Sequence, residues 1–324
     1  MSLQPATVVI CVYTLARWEL LRASIDSVLG QTVAPVDLVV VSDHNSELYV
    51  RLRSVYPELR IIENHNAAGL SGARNSGVAA ATGEVVAFLD DDAAAEPGWL
   101  EELLGGYDDP DVQGVGGAIE PAWARGRPRW FPLEFDWVVG CTYRGLPRSA
   151  ARVRNPIGAN MSFRRSLFDA VGGFRDGLGR IGATPVGGEE TEFCIRAVQH
   201  DSRARFLYRP RAIVRHHVPS NRATWRYFSA RCYAEGLSKA TITRSVGRGS
   251  GLASERRYAT RTLPAGIGGG LKDLARGDLW GGARALAIVA GLIVTTAGYV
   301  IGSVMLRKKS SPSSVTQPSG IGPP

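Results

Sequence analysis

Residues 83–103 read GEVVAFLDDDAAAEPGWLEEL. An apolar run over residues 84–89 ends in three consecutive aspartates, Asp90, Asp91 and Asp92, and a helix-like pattern follows Pro97. A strand that closes on polar groups and turns into a helix is the unit of an α/β sheet, whose ligands bind beyond the carboxyl ends of the strands. Three crowded carboxylates raise one another's pKa unless a cation holds them. Asp90 and Asp92 stand one residue apart, on the same side of an extended chain, and hard oxygen ligands of this kind suit Mg or Mn shared with phosphates. Taken alone, the triplet favours a plainer role, with Asp92 capping a helix that opens near Pro97.

Upstream, residues 8–12, 38–41 and 60–63 read as buried strands, and residues 15–29, 49–55 and 72–81 as helices. Leu21, Ile25, Val28 and Leu29 carry the helical spacing of the first. This alternation predicts a doubly wound, mostly parallel sheet flanked by helices. Strand ends then bring Tyr13 and Thr14, residues 43–46, and the aspartates to one crevice. Downstream, the Trp-, Pro- and Arg-rich residues 121–155 read as loop, residues 189–199 as helix, and residues 211–214 as a last short strand before His216 and His217. A helix around residues 223–239 and a Gly- and Arg-rich connector over 247–270 follow.

The chain has 324 residues, 44% of them hydrophobic and 21% charged, which excludes a disordered or disulfide-stapled protein. Its four cysteines lie far apart, so a reducing compartment is expected, and residues 1–14 lack the basic start of a signal peptide. The net charge of +8 invites a nucleic-acid reading, but residues 1–200 hold 18 basic and 25 acidic side chains, and residues 201–324 hold 20 and 5. An acidic body carries a basic end. Within that end, residues 285–306 contain no charge, and as a helix about 33 Å long they match the roughly 30 Å hydrocarbon layer. Gly291, Gly298 and Gly302 temper the hydrophobicity, so a spanning helix and one lying in the interface are both open. The 17 basic residues between Arg203 and Arg284, in runs such as RATWRYFSARCYAEGLSKATITR, suit an anionic membrane surface and come with no nucleic-acid motif.

The segments VVICVYTLARWELLRASIDSVLGQT, VVVSDHNS, NAAGLSGARNSGVAAATGEVVAFLDDD, GANMSFRRSLFDAVGGF, GGEETEFCIRA and AIVRHHVP, in this order over residues 6–220, resemble the family 2 glycosyltransferases. That resemblance implies a GT-A fold, a nucleotide-diphosphate sugar donor, a divalent metal (Mn or Mg) and transfer with inversion. Residue by residue it implies that Asp43 binds the nucleobase, that Thr14, Arg74 and Asn75 lie near the nucleotide, that Asp90 and Asp91 bind ribose or sugar, and that Asp92 and His216 hold the metal. His217 is the substitute if the strand register slips by one. Gly158, Asn160 and Glu189 fall on the acceptor side. Glu190 stands where the family's catalytic base is usually Asp, and one more methylene moves the carboxylate by about 1.5 Å. Glu189 competes for that role, and both acids also suit the positive end of a helix.

Plainer readings accompany these: Asp43 as a turn residue, Arg74 as a helix surface residue, the histidines as packed side chains, and Trp123, Trp130, Phe131 and Trp137 as packing rather than sugar-stacking groups. The expected organisation is a catalytic domain over residues 1–222 (nucleotide half 1–120, acceptor half 121–222), a basic helical connector over 223–282, a membrane-associated helix over 283–306 and a disordered tail over 307–324. The expected function is sugar transfer to a glycan, lipid-linked or small-molecule acceptor at the cytoplasmic membrane face. A nucleotidyltransferase or a non-catalytic nucleotide-sugar-binding protein is the alternative; the lack of a Gly-rich, Lys-containing loop counts against the first. Residues 121–155 and 176–186 are expected to select donor and acceptor.

Overall fold

The computed structural model describes residues 3–176, 187–247 and 256–308. Strands β1 (Ala6–Val12), β2 (Asp37–Ser42), β3 (Arg60–Glu63) and β4 (Val85–Asp90) pair in parallel in the order β3-β2-β1-β4. β1 is the centre of this half, and Val8, Val9, Ile10 and Val12 are all buried. Burial on both faces explains why it reads as a continuous apolar run. Helices α1 (Trp18–Leu29), α2 (Ser46–Val55) and α3 (Leu70–Ala80) make the crossovers. α1 buries Leu21, Ile25 and Val28 at helical spacing, and α2 is capped by Asn45, whose Oδ1 accepts from the Leu48 N–H at 3.0 Å.

The remaining strands are β5 (Ala93–Ala95), β6 (Val112–Trp123), β7 (Ala151–Val153), β8 (Asn160–Arg164) and β9 (Arg205–Val218), with α4 (Trp99–Leu104), α5 (Arg165–Val171) and α6 (Glu189–His200) between them. The sheet runs β3-β2-β1-β4-β8-β6-β9-β5, with β7 on β9. β8 is antiparallel to both β4 and β6, and β5 and β7 are antiparallel to β9, so the sheet is mixed rather than mostly parallel. β9 is far longer than residues 211–214. Arg209, Pro210 and Arg211 interrupt its apolar pattern where the register with β6 shifts at Gly117/Ala118.

Residues 121–155 are not a surface loop. β6 extends through Trp123, and a 3-10 stretch, Leu133–Val139, buries Phe135, Val138 and Val139. Trp130, Phe131 and Phe135 pack against Phe228 with ring centroids 5.2–5.6 Å apart. Phe228 lies on α7 (Trp225–Val246), which is followed by a π-helical turn, Tyr258–Thr262, and by α8 (Leu263–Ala275) and α9 (Leu279–Lys308). Much of the supposed connector is therefore helix. Gly266 and Gly270 lie in α8 where a Cβ would meet Glu134 at 2.7 Å and the Gly281 carbonyl at 2.6 Å, so these glycines allow close packing rather than flexibility. α9 continues through Lys308, two residues into the expected tail, and residues 309–324 lie outside the described residues.

Candidate active site

The register of β1 sets Cys11 level with Asp90 and Val12 level with Ser42. The residues just beyond these ends, Tyr13, Asp43, Asp91 and Asp92, line one cleft of about 300 Å³. Asp43 is held by its neighbours: Oδ1 accepts from Asn64 Nδ2 at 2.7 Å and Oδ2 from the Gly69 N–H at 2.9 Å. Gly69, at φ 120°, opens α3 and forms the wall facing the aspartates.

β9 brings His216 beneath the triplet. Its Nε2 lies 3.1 Å from Asp92 Oδ1, while the backbone N–H of His217 donates to the Asp92 carbonyl at 2.8 Å. The strand thus turns His216 inward. Donor atoms of Asp90, Asp92 and His216 all lie within 4.8 Å of one another. Two carboxylate oxygens and an imidazole nitrogen this close suit a divalent ion, and Asp91 Oδ2 is buried without a hydrogen-bond partner beside them. The residues fit such a group.

Cations from the chain itself hold the triplet. Arg17 Nη1 lies 2.9 Å from Asp91 Oδ1 and 3.1 Å from Asp92 Oδ2, and Arg222 reaches Asp92 at 3.8 Å. Burial pushes the Asp91 carboxyl up to about 7, the Asp92 charge adding to it and Arg17 opposing. Burial would also raise Asp92, but His216, Arg17 and Arg222 together hold it below the usual carboxylate range. For His216 burial acts downward and Asp92 outweighs it, leaving the imidazole at about 10.

Arg74 is 2% exposed and links the triplet to α6. Nη1 contacts Glu189 Oε1 at 2.6 Å, and Nη2 contacts Asp90 Oδ1 at 3.3 Å and the Gly158 carbonyl at 2.9 Å. It is an interior residue, not a surface one. Glu189 is therefore committed to an ion pair, while no cation pairs with Glu190 among the described residues. Burial, and next the Glu189 charge, push the Glu190 carboxyl up to about 8.

Other expected residues lie elsewhere. The Thr14 hydroxyl caps the 3-10 turn Leu15–Arg17, accepting from the Ala16 N–H at 3.2 Å. Asn75 clamps Phe174 through both its N–H and its carbonyl, each at 2.8 Å. Asn160 is fully buried: Oδ1 accepts from Trp99 Nε1 at 2.7 Å, and Nδ2 donates to the Ala118 and Ala212 carbonyls at 2.9 Å. With its hydrogen bonds consumed inside, Asn160 braces the sheet instead of facing an acceptor. The cleft gains residues the sequence reading passed over: Arg17, Arg222, Tyr227 and Arg231. The last three belong to the basic run read as lipid-facing. For Arg17 a signal existed, since it lies within a turn of the β1 end. Of the expected selectivity segment 176–186, all but Asp176 lies outside the described residues.

Residues 7–172 match the family described as Glycosyl transferase family 2. The chain is 37% identical over 237 residues to the glucosyl-dolichyl phosphate glucuronosyltransferase of Haloferax volcanii, covering 72% of this chain and 75% of that one. It is 30% identical over 253 residues to the pre-mycofactocin glycosyltransferase of Mycobacterium tuberculosis, covering 77% of this chain but only 48% of that relative. Among solved structures, the mannosyltransferase PcManGT from Pyrobaculum calidifontis in complex with GDP-Man and Mn2+ has a TM-score of 0.56 at 16% identity, over 91% of this chain and 88% of that one. GalNAc-T7 with UDP, GalNAc and Mn2+ has a TM-score of 0.55 at 16% identity, over 80% and 58%. At this identity the two likenesses concern the fold, which is GT-A.

Proposed function

The chain belongs to glycosyl transferase family 2, and on that premise we propose that it moves a sugar from a nucleotide-diphosphate donor to the hydroxyl of a lipid-linked acceptor, with inversion, at the cytoplasmic membrane face. The observation that carries this reading is the convergence of Asp43, the aspartate triplet and His216 on one cleft beyond the ends of β1, β2 and β4. Membership leaves the nucleotidyltransferase and non-catalytic readings without support. The lipid-linked acceptor takes its support from the dolichyl phosphate in the name of the Haloferax relative.

In this mechanism Asp43 and the Gly69 wall seat the nucleoside. Asp90, Asp92 and His216 would hold a divalent ion, Mn or Mg, and such an ion would supply positive charge against a diphosphate leaving group. Arg17 and Arg222, which line the cleft beside the aspartates, would offer their guanidinium groups to the diphosphate oxygens. Glu190 removes the proton of the acceptor hydroxyl as the oxygen attacks the anomeric carbon; with its carboxyl raised to about 8, the deprotonated form that does this becomes the major one only above that pH. Glu189 and Arg74 keep the start of α6 in register with Asp90.

The purified full chain with Mn and a panel of uridine, guanosine and thymidine diphosphate sugars should consume one of them, faster with a membrane extract present, and mass spectrometry should find the sugar on an extracted lipid. Absence of binding and turnover across the panel, with the extract added, would refute the reading.

A further inference from the structure

α9 has two faces of opposite use. Its inward face is notched onto α7: a Cβ at Gly298 would lie 2.3 Å from the Tyr233 carbonyl oxygen, one at Gly302 3.0 Å from Ala240, and one at Gly291 3.0 Å from Phe228 and 2.4 Å from Phe135 of the 3-10 stretch. α7 reciprocates at Gly236, where a Cβ would lie 2.2 Å from the Thr295 carbonyl. The Gly298/Gly302 pair, which as GxxxG suggests helix pairing between membrane spans, is thus spent within one chain. α7 itself suits no hydrocarbon layer. It carries Glu235, paired with Lys239 at 3.1 Å and Arg231 at 3.7 Å, and it lines the cleft with Tyr227 and Arg231. A span through the bilayer would have to drag these charges in or tear α9 from the cleft wall.

The outward face carries Leu286, Val289, Ile293, Val300 and Val304, all 40–72% exposed and separated by three, four or seven residues. At the α8–α9 elbow the acids are neutralised, because Asp273 and Asp278 both pair with Arg284 at 2.8 and 2.9 Å. Lys272 and Arg276 are exposed there beside Leu271, Leu274, Leu279 and the half-exposed Trp280. An apolar stripe flanked by cations and an indole matches the boundary between acyl chains and anionic headgroups.

We infer that α9 lies in the plane of an anionic lipid surface, inserting its Leu286–Ile293–Val304 stripe without crossing the bilayer, with Lys272 and Arg276 on the headgroups. The helix is a one-sided anchor, and through α7 it sets the cleft one helix thickness from the lipid. This deepens the membrane placement in the proposed function and does not rest on the sugar-transfer chemistry.

The test is co-sedimentation of the full chain with phosphatidylcholine vesicles, with and without phosphatidylglycerol, alongside a protease-cleavable tag placed after residue 324 in cells. The expected result is binding that needs phosphatidylglycerol, weakened about tenfold by Ile293→Glu with Val300→Glu and less so by Lys272→Ala with Arg276→Ala, with the tag cut from the side of the catalytic body. A tag protected on that side would show a spanning helix and overturn the inference. So would unchanged vesicle binding by the glutamate variant, including the case in which it converts a dimer to a monomer. Vesicle binding is read without any donor, so failure to find a sugar donor leaves it standing.

Discussion

The Arg74 guanidinium meets the Glu189 carboxylate at 2.6 Å in a buried ion pair, and its other nitrogen reaches Asp90 at 3.3 Å. One side chain therefore ties Asp90 at the end of β4 to the first turn of α6. In the proposed mechanism it would also separate two adjacent acids, because a carboxylate locked to a buried guanidinium is a poor base.

Glu190→Gln should lower turnover by about 10²–10⁴-fold while leaving donor binding and melting temperature near those of the parent. Glu189→Gln should instead cost about 3–5 kcal/mol of stability, since it leaves Arg74 buried without its partner. Steady-state kinetics and thermal melts on both variants separate the roles; the reverse pattern would make Glu189 the base.

Burial and the Glu189 charge raise the Glu190 carboxyl to about 8, so at pH 7 most of it is protonated. A base acts only when deprotonated, so kcat/KM should climb about tenfold per pH unit below 8 and level off above it. A flat profile between pH 6 and 9 would rule out Glu190 as the titrating base.

Chelation should abolish turnover, and Asp92→Asn should weaken metal binding strongly. His216, raised to about 10 against burial by the Asp92 charge, must shed its proton before its nitrogen can bind an ion. Metal uptake near pH 7 should then release about one proton, and affinity should rise with pH. Calorimetry in buffers of different ionisation enthalpy measures that proton; turnover untouched by chelators would remove the metal from the scheme.

Asn160→Ala strands the buried Trp99 indole N–H and two carbonyls. A loss of about 1–3 kcal/mol per unsatisfied group is expected, with KM for the acceptor unchanged in the folded fraction. A selective rise in that KM without destabilisation would return Asn160 to the acceptor side.

How much was legible in advance follows from distance along the chain. Tyr13, Asp43 and Asp90–Asp92 sit within a residue or two of strand ends, and parallel strands bring their ends level, so the crevice could be read from hydrophobic runs alone. His216 needed only the register of one further strand. Trp130 and Phe131, by contrast, read as loop because their partner, Phe228, comes nearly a hundred residues later, and no local period announces such a contact.

The sequence by itself determined the parallel α/β units of β1 to β4, the strand ends that meet at one cleft and the charge-free stretch 285–306, because each is written in short-range apolar runs. The tertiary structure alone decided that Glu189 is paired with Arg74 while no cation among the described residues pairs with Glu190, that Arg17, Arg222 and Arg231 face the cleft, and that α9 has a face already occupied by α7. Those outcomes depend on which charges and surfaces meet across long loops, and only packing, with its demand that buried charge be paired and close helices meet at glycine, selects among them.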